Sequence, residues 1–152
     1  MKLSDALAPE RIELNLTCTE KIQAIEEMVS LIDRSVSISD PEAVLKRILD
    51  QEAIKSTGIE KGVAIPHARF NEIDGVVAAL GIVRSDLDFQ SLDEQPVHLI
   101  FLILSSEASM SAYLSVLGRT ARIFHDEEMK ACVMEATSPD EVMDLIRSHE
   151  PV

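Results

Sequence analysis

In TGIEKGVAIPHAR, residues 57–69, a histidine stands directly after an apolar triplet and a proline. Such a setting holds an imidazole still while leaving one of its edges open. Gly58 and Gly62 punctuate a loop, Val63 to Ile65 reads as a short apolar strand, and Pro66 fixes its own φ and removes a backbone donor just ahead of His67. The spacing predicts His67 at the C-terminal end of a strand, on a stiffened turn. Near neutral pH an unprotonated imidazole is both a base and a nucleophile, so proton transfer and covalent group transfer are the chemistries open to it. The plain alternative is a turn histidine with a satisfied hydrogen bond.

The remaining chemistry-bearing residues are scattered. His98 starts an apolar strand, His125 follows Phe124 at a helix end, and His149 lies in the tail; no pair has metal-ligand spacing. GxSxG, P-loop and GxGxxG patterns are absent, and no cofactor is called for. Cys18 and Cys132 lack CxxC spacing and read as buried thiols in a reducing compartment.

The elements that must position His67 follow from periodicity. Ile12, Leu14 and Leu16 alternate with Glu13 and Asn15, predicting a first strand over 11–16. Thr19 is placed to cap a helix ending near Arg34, with Ile22, Ile25, Met28, Val29 and Ile32 inward. Asp40 and Pro41 open a second helix that buries Val44, Leu45, Ile48, Leu49 and Ala53 and carries Gln51 and Glu52 in its last turns, toward His67. Asn71 to Gly75 is a turn, Val76 to Arg84 a strand, Asp86 to Phe89 a short extended piece or turn, and VHLIFLIL, residues 97–104, a central strand buried on both faces. A helix starting around Ser109 to Ser111 is predicted to turn Leu114, Leu117, Ala121 and Phe124 inward, with the serines capping it. Asp126 begins a short helix with Met129, Cys132 and Val133 apolar. Ser138 and Pro139 open the last helix, through about His149. Strands and helices in irregular order predict an α/β fold, a three-layer α/β/α sandwich with a mixed β-sheet, forming one domain over residues 1–152.

Hydrophobic residues make up 46% of the chain, yet no apolar run is long enough to span a membrane and the N-terminus lacks a secretory signal, so a cytoplasmic location is expected. A net charge of −13 with no Lys/Arg cluster disfavours nucleic acid and suits brief docking of a basic partner face.

The chain resembles the type-2 IIA (EIIA) domains of the bacterial phosphoenolpyruvate-dependent phosphotransferase system, the fructose, mannitol and nitrogen-regulatory branch. The likeness runs from LSDALAPERIELNL through TEKIQAIEEMVSLI, DPEAVLKRILDQEAIKSTGI and the IPH triplet to VHLIFLIL and YLSVLGRTARIF. It implies the same mixed-sheet sandwich. It also implies that His67 accepts a phosphoryl group, through Nε2, from a histidine phosphocarrier protein (HPr- or NPr-like), and either passes it on or holds it as a signal to a regulatory protein target. Standing alone, the chain looks more like the nitrogen-regulatory type than a sugar-transport component.

In that family an arginine lies sixteen residues before the nucleophile and a second histidine opens the helix after the central strand. Here those positions are Gln51 and Tyr113. Both are neutral donors, and each exchange of a charged for a neutral hydrogen bond is expected to slow transfer by about tenfold. Arg69, two residues past His67, faces the same side of an extended segment and is the nearest local cation. Two functions therefore stand side by side: a working phosphohistidine relay, and a non-catalytic or weakly phosphorylated binding module of the same fold.

Overall fold

The central strand cannot face water on either side, and the rest of the chain is layered over it. The computed structural model describes residues 1–150, and of Ile59 and Glu60 only the backbone. In chain order the helices are α1 (Leu3–Ala6), α2 (Lys21–Val36), α3 (Pro41–Ile54), α4 (Met110–Ile123), α5 (Glu127–Glu135) and α6 (Pro139–Ser148). The strands are β1 (Ile12–Glu13), β2 (Gly58–Glu60), β3 (Val63–Ala64), β4 (His67–Arg69), β5 (Val76–Leu87) and β6 (Val97–Ser105). They form one mixed sheet in the order β1-β5-β6-β3-β2, with β4 also on β6. β5 runs antiparallel to β6, whereas β3 and β4 run parallel to it.

Period-two alternation along β6 divides the core. Leu99, Phe101 and Ile103 pack with α1, α4, α5 and α6, while Ile100, Leu102 and Leu104 pack with α2 and α3. Helices therefore cover both faces of the mixed sheet, as expected for the three-layer α/β/α sandwich. Both ends of the described chain meet on the α1 side, where the buried Glu150 carboxylate accepts the amides of Leu3 at 2.7 Å and Ser4 at 2.9 Å.

Several local expectations are corrected. The first strand is only Ile12–Glu13, because Pro9–Arg11 coils into a 3₁₀ turn and the Arg11 guanidinium is drawn inward to the carbonyls of Ala6 and Ala78. Leu14 and Leu16 then diverge to opposite cores. Glu20, not Thr19, occupies the cap position of α2, which has no side-chain cap; the Thr19 amide instead donates to Gln23 Oε1 at 2.9 Å. Ile22 is exposed on that helix, and Ala24 and Leu31 are buried in its place. α3 begins as expected, with Asp40 accepting from the Ala43 amide, but it buries Glu52 and leaves Ala53 exposed. β5 runs on through Leu87, which pairs with Val97, absorbing part of the piece read as a turn.

The stripe chosen for α4 is one residue out of phase. Tyr113, Val116, Thr120 and Ile123 face inward, whereas Leu114 and Ala121 are exposed and Leu117 is half-buried; Phe124, just past the helix, is buried. Ser109 makes no side-chain cap and instead accepts from the Ser106 hydroxyl. Cys18 is buried but Cys132 is exposed. The caps at Asp126 and Ser138 form as expected, accepting from Glu128 and Glu141 amides.

Packing is tight where β5 passes α2. A Cβ on Gly81 would lie 2.4 Å from Leu16 Cδ1 and 2.6 Å from the Met28 sulfur. Gly81→Ala is expected to cost about 1–3 kcal/mol by overpacking, lowering the urea midpoint at constant slope. An unchanged midpoint would mean that Leu16 and Met28 repack freely.

Candidate functional site

Pro66 has no amide to donate, and the strand alongside β6 breaks there into β3 and β4. Both pieces keep one register, Val63 opposite Leu99 and His67 opposite Ile103. His67 thus opens the second piece of an interrupted strand rather than closing a strand. At the break the Ile65 amide donates to the Thr57 carbonyl at 3.1 Å, and the Ile65 carbonyl lies 2.6 Å from His67 Nδ1. A carbonyl oxygen only accepts, so Nδ1 carries the ring proton and Nε2 of the neutral imidazole keeps its lone pair.

Strand alternation points Ile65, His67 and Arg69 toward α4. The His67 ring meets Tyr113 with centroids 5.9 Å apart and planes tilted by 60°. Two residues on, Arg69 Nη1 rests 3.8 Å from the Met110 sulfur at the start of the same helix. Arg69 is steadied from behind: Arg47 donates to its carbonyl at 2.7 Å while lying over the Phe70 ring, 4.6 Å from the centroid.

His67 opens onto a depression of about 680 Å³ between the end of α3 and α4. Gln51, Lys55, Thr57, Leu92 and Leu117 line it with His67. Gln51 and His67 are therefore brought together as expected. Tyr113 differs: it is buried and supports the imidazole from beneath, outside the lining of the depression. Burial pushes its phenol up to about 12, with Arg69 pulling weakly the other way, so near neutral pH it is a neutral hydroxyl.

Sequence reading missed the apolar rim and two polar neighbours. Ile54 is 86% exposed and Leu92 60%, values that decide against a core role for either. Lys55 places a cation on the depression, which Gln51 also lines. Thr57 joins it to the buried Glu52, whose carboxylate accepts the Thr57 amide at 3.1 Å. Ile54 had one available signal, falling off the Val44–Ile48 stripe of α3. Leu92 sits in a loop with no periodic signal.

The other histidines lie apart from this depression. His98 is on the central strand rather than at an edge, donating through Nδ1 to Val83 at 3.0 Å with Nε2 3.3 Å from Asp86. His149 ends α6, its Nδ1 3.1 Å from the Leu145 carbonyl. Among the described residues no cluster of three or more His, Cys, Asp and Glu side chains is grouped as a metal requires. Among them, too, no helix is long and apolar enough to cross a membrane.

The family described as "Phosphoenolpyruvate-dependent sugar phosphotransferase system, EIIA 2" matches residues 5–149. The chain belongs to that family. One EIIA relative, the PTS system fructose-specific EIIABC component of Bacillus subtilis, is 35% identical over 150 residues; these are 99% of this chain but 24% of that protein, so the chain spans about a quarter of it. The nitrogen regulatory protein of Bradyrhizobium diazoefficiens is 31% identical over 129 residues, covering 85% of this chain and 84% of the relative. Among solved structures, nitrogen regulatory protein IIA-Ntr from Neisseria meningitidis superposes with a TM-score of 0.87 at 29% identity, over 95% of this chain and 98% of that one. The fold of this EIIA chain is that of its family.

Tyr113 is the only tyrosine and tryptophan is absent, so ultraviolet titration of the phenol reads this residue alone. The expected native midpoint is about 12. The folded value lies above the unfolded one of about 10, so between them the native state binds more protons and stability falls as pH rises through that window. A midpoint near that of free tyrosine would mean that Tyr113 is not enclosed against His67.

Proposed function

We propose that this EIIA chain accepts a phosphoryl group on His67 Nε2 from a histidine phosphocarrier protein (HPr- or NPr-like) and works as a regulatory protein in the cytoplasm, residues 1–152 acting as one domain. One observation carries the reading: Nδ1 is committed to the Ile65 carbonyl, leaving Nε2 as the free nitrogen beside an open, apolar-rimmed depression. The Nε2 lone pair attacks phosphorus, and the P–N bond to the carrier breaks with its electron pair returning to the carrier's imidazole. The His67 ring keeps its Nδ1 proton throughout.

The protein's own contribution is positioning and charge. Phosphoryl transfer asks mainly for alignment and for neutralisation of the equatorial oxygens. Gln51 can donate an amide hydrogen to one oxygen, Lys55 and Arg69 supply positive charge at the margins, and Tyr113 buttresses the ring. Ile54 and Leu92, exposed where they line the depression with His67, offer the apolar contact on which a carrier would seat, since exposed apolar residues grouped about one reactive atom favour a protein partner. A regulatory role is supported by the nitrogen regulatory proteins among its relatives, one of them 31% identical over 129 residues. The second reading, docking without phosphotransfer, draws on Gln51 and Tyr113, which bring no charge of their own.

Incubation with phosphoenolpyruvate, the system's first enzyme and a phosphocarrier is expected to add one phosphoryl mass. The adduct should be acid-labile, as a P–N bond is, and absent in His67→Ala. Phosphate on the His67→Ala protein would move the site, and none on the parent after hours would favour the docking module.

The pair Gln51→Arg and Tyr113→His is expected to accelerate phosphorylation beyond either single change. The guanidinium fork fits phosphate oxygens and the introduced ring touches the same imidazole, so the effects should not add. A double variant no faster than the parent, with thermal stability intact, would mean that the neutral pair is not what limits this site. Arg69→Ala and Lys55→Ala would then locate the working charge.

A further inference from the structure

Support for the imidazole does not end at Ile65. Lys21, at the start of α2, and Glu52, in the last turn of α3, form an ion pair 2.9 Å long whose side chains are only 12% and 3% exposed. Lys21 Nζ also lies over the Phe89 ring, 4.8 Å from its centroid. A pair buried this deeply contributes little to stability by itself, because desolvation offsets the attraction unless the remaining lone pairs are also used. Glu52 uses them on Thr57, accepting its amide at 3.1 and 3.2 Å and its hydroxyl as well. The Thr57 carbonyl accepts the Ile65 amide at 3.1 Å, and the Ile65 carbonyl accepts Nδ1–H of His67 at 2.6 Å.

We infer that Glu52, anchored by Lys21, is a positioning residue that fixes Thr57, through it Ile65, and so the tautomer in which His67 Nε2 is the nucleophile. The inference rests on the phosphotransfer reading of His67. A neutral imidazole in water exchanges between two tautomers, and only the Nδ1–H form leaves Nε2 free to attack. An ionised carboxylate suits the task because it is acceptor-only: the ammonium, the amide and the hydroxyl can all point at it without one having to turn away. Glu52 touches neither His67 nor the depression's open space, so its action is indirect.

The same chain of bonds matters after transfer. With phosphate on Nε2, the only ring nitrogen left to exchange a proton is Nδ1, and the Ile65 oxygen accommodates it only in the protonated form. The phosphorylated ring is thereby held cationic, the state in which imidazole leaves most readily toward the next acceptor.

Imidazole nitrogen NMR on the full chain, at alkaline pH and with His67→Ala to assign the ring, tests the inference without any phosphate present. The parent should show the Nδ1–H tautomer. Glu52→Gln should give a mixture of both tautomers and phosphorylation slower by about tenfold, with cooperative unfolding retained. Thr57→Val should shift the tautomer in the same direction by less, and Thr57→Ser, which keeps the hydroxyl, should match the parent. Should Glu52→Gln leave Lys21 uncompensated and fail to fold, the Thr57 pair decides. An undisturbed Nδ1–H tautomer in folded Glu52→Gln or Thr57→Val overturns the inference, whatever the rate does. A parent that takes no phosphate instead removes the phosphotransfer reading, while the tautomer spectra still judge the positioning network on their own.

Discussion

A doubly buried strand must find partners for every amide and carbonyl it carries, because none can turn to water. β6 meets that demand with β5 on one flank and with β3 and β4 on the other. The second flank is where the constraint turns to chemistry. The ladder is interrupted there at Ile65 and Pro66, and the Ile65 carbonyl, on the side away from β6, becomes the fixed point against which an imidazole is set. Site and core are thus one hydrogen-bonded object, and a residue as remote as Lys21 can bear on a ring nitrogen through bonded groups alone.

The electrostatics around that ring are assembled from unusual parts. A chain of net charge −13 places Lys55 on the depression onto which His67 opens, and Arg69, backed by Arg47, two residues along the same strand. None stands where the family's arginine would, at Gln51. The phenol beneath the ring, raised to about 12, cannot shuttle protons near neutrality. What it offers the site is shape, a buried ring tilted by 60° against the imidazole.

What could be read in advance follows from where information is local. The IPH segment, the apolar 97–104 run and the Asp40, Asp126 and Ser138 caps depend on neighbours in sequence, and the structure matches each of them apart from the strand break at Pro66. The phase of α4 was not local. Two stripes at helical spacing compete there, Leu114–Leu117–Ala121 and Tyr113–Val116–Thr120, and composition alone favours the more apolar one. The sheet selected the other, because Tyr113 must lie against His67 and Thr120 can return its hydroxyl to the Val116 carbonyl at 2.8 Å. Of the displaced stripe, Leu117 and Ala121 line the depression. Glu52 was legible only as a residue in a last turn, since its partners Lys21 and Thr57 lie on separate elements.

The carboxylate of Glu150 on the amides of Leu3 and Ser4 has a topological meaning. It fastens the first helix to the segment after the last, so the described backbone forms a loop closed by two hydrogen bonds in place of a covalent link. Such a loop can be cut elsewhere and rejoined there with little loss of packing, which makes the fold a natural candidate for circular permutation. A new opening between the exposed Asn71 and Glu72, ahead of the buried Ile73, would leave every strand of the sheet whole. It would also place both new ends just beyond β4, one short strand away from the histidine, where an attached reporter could sense what docks upon it.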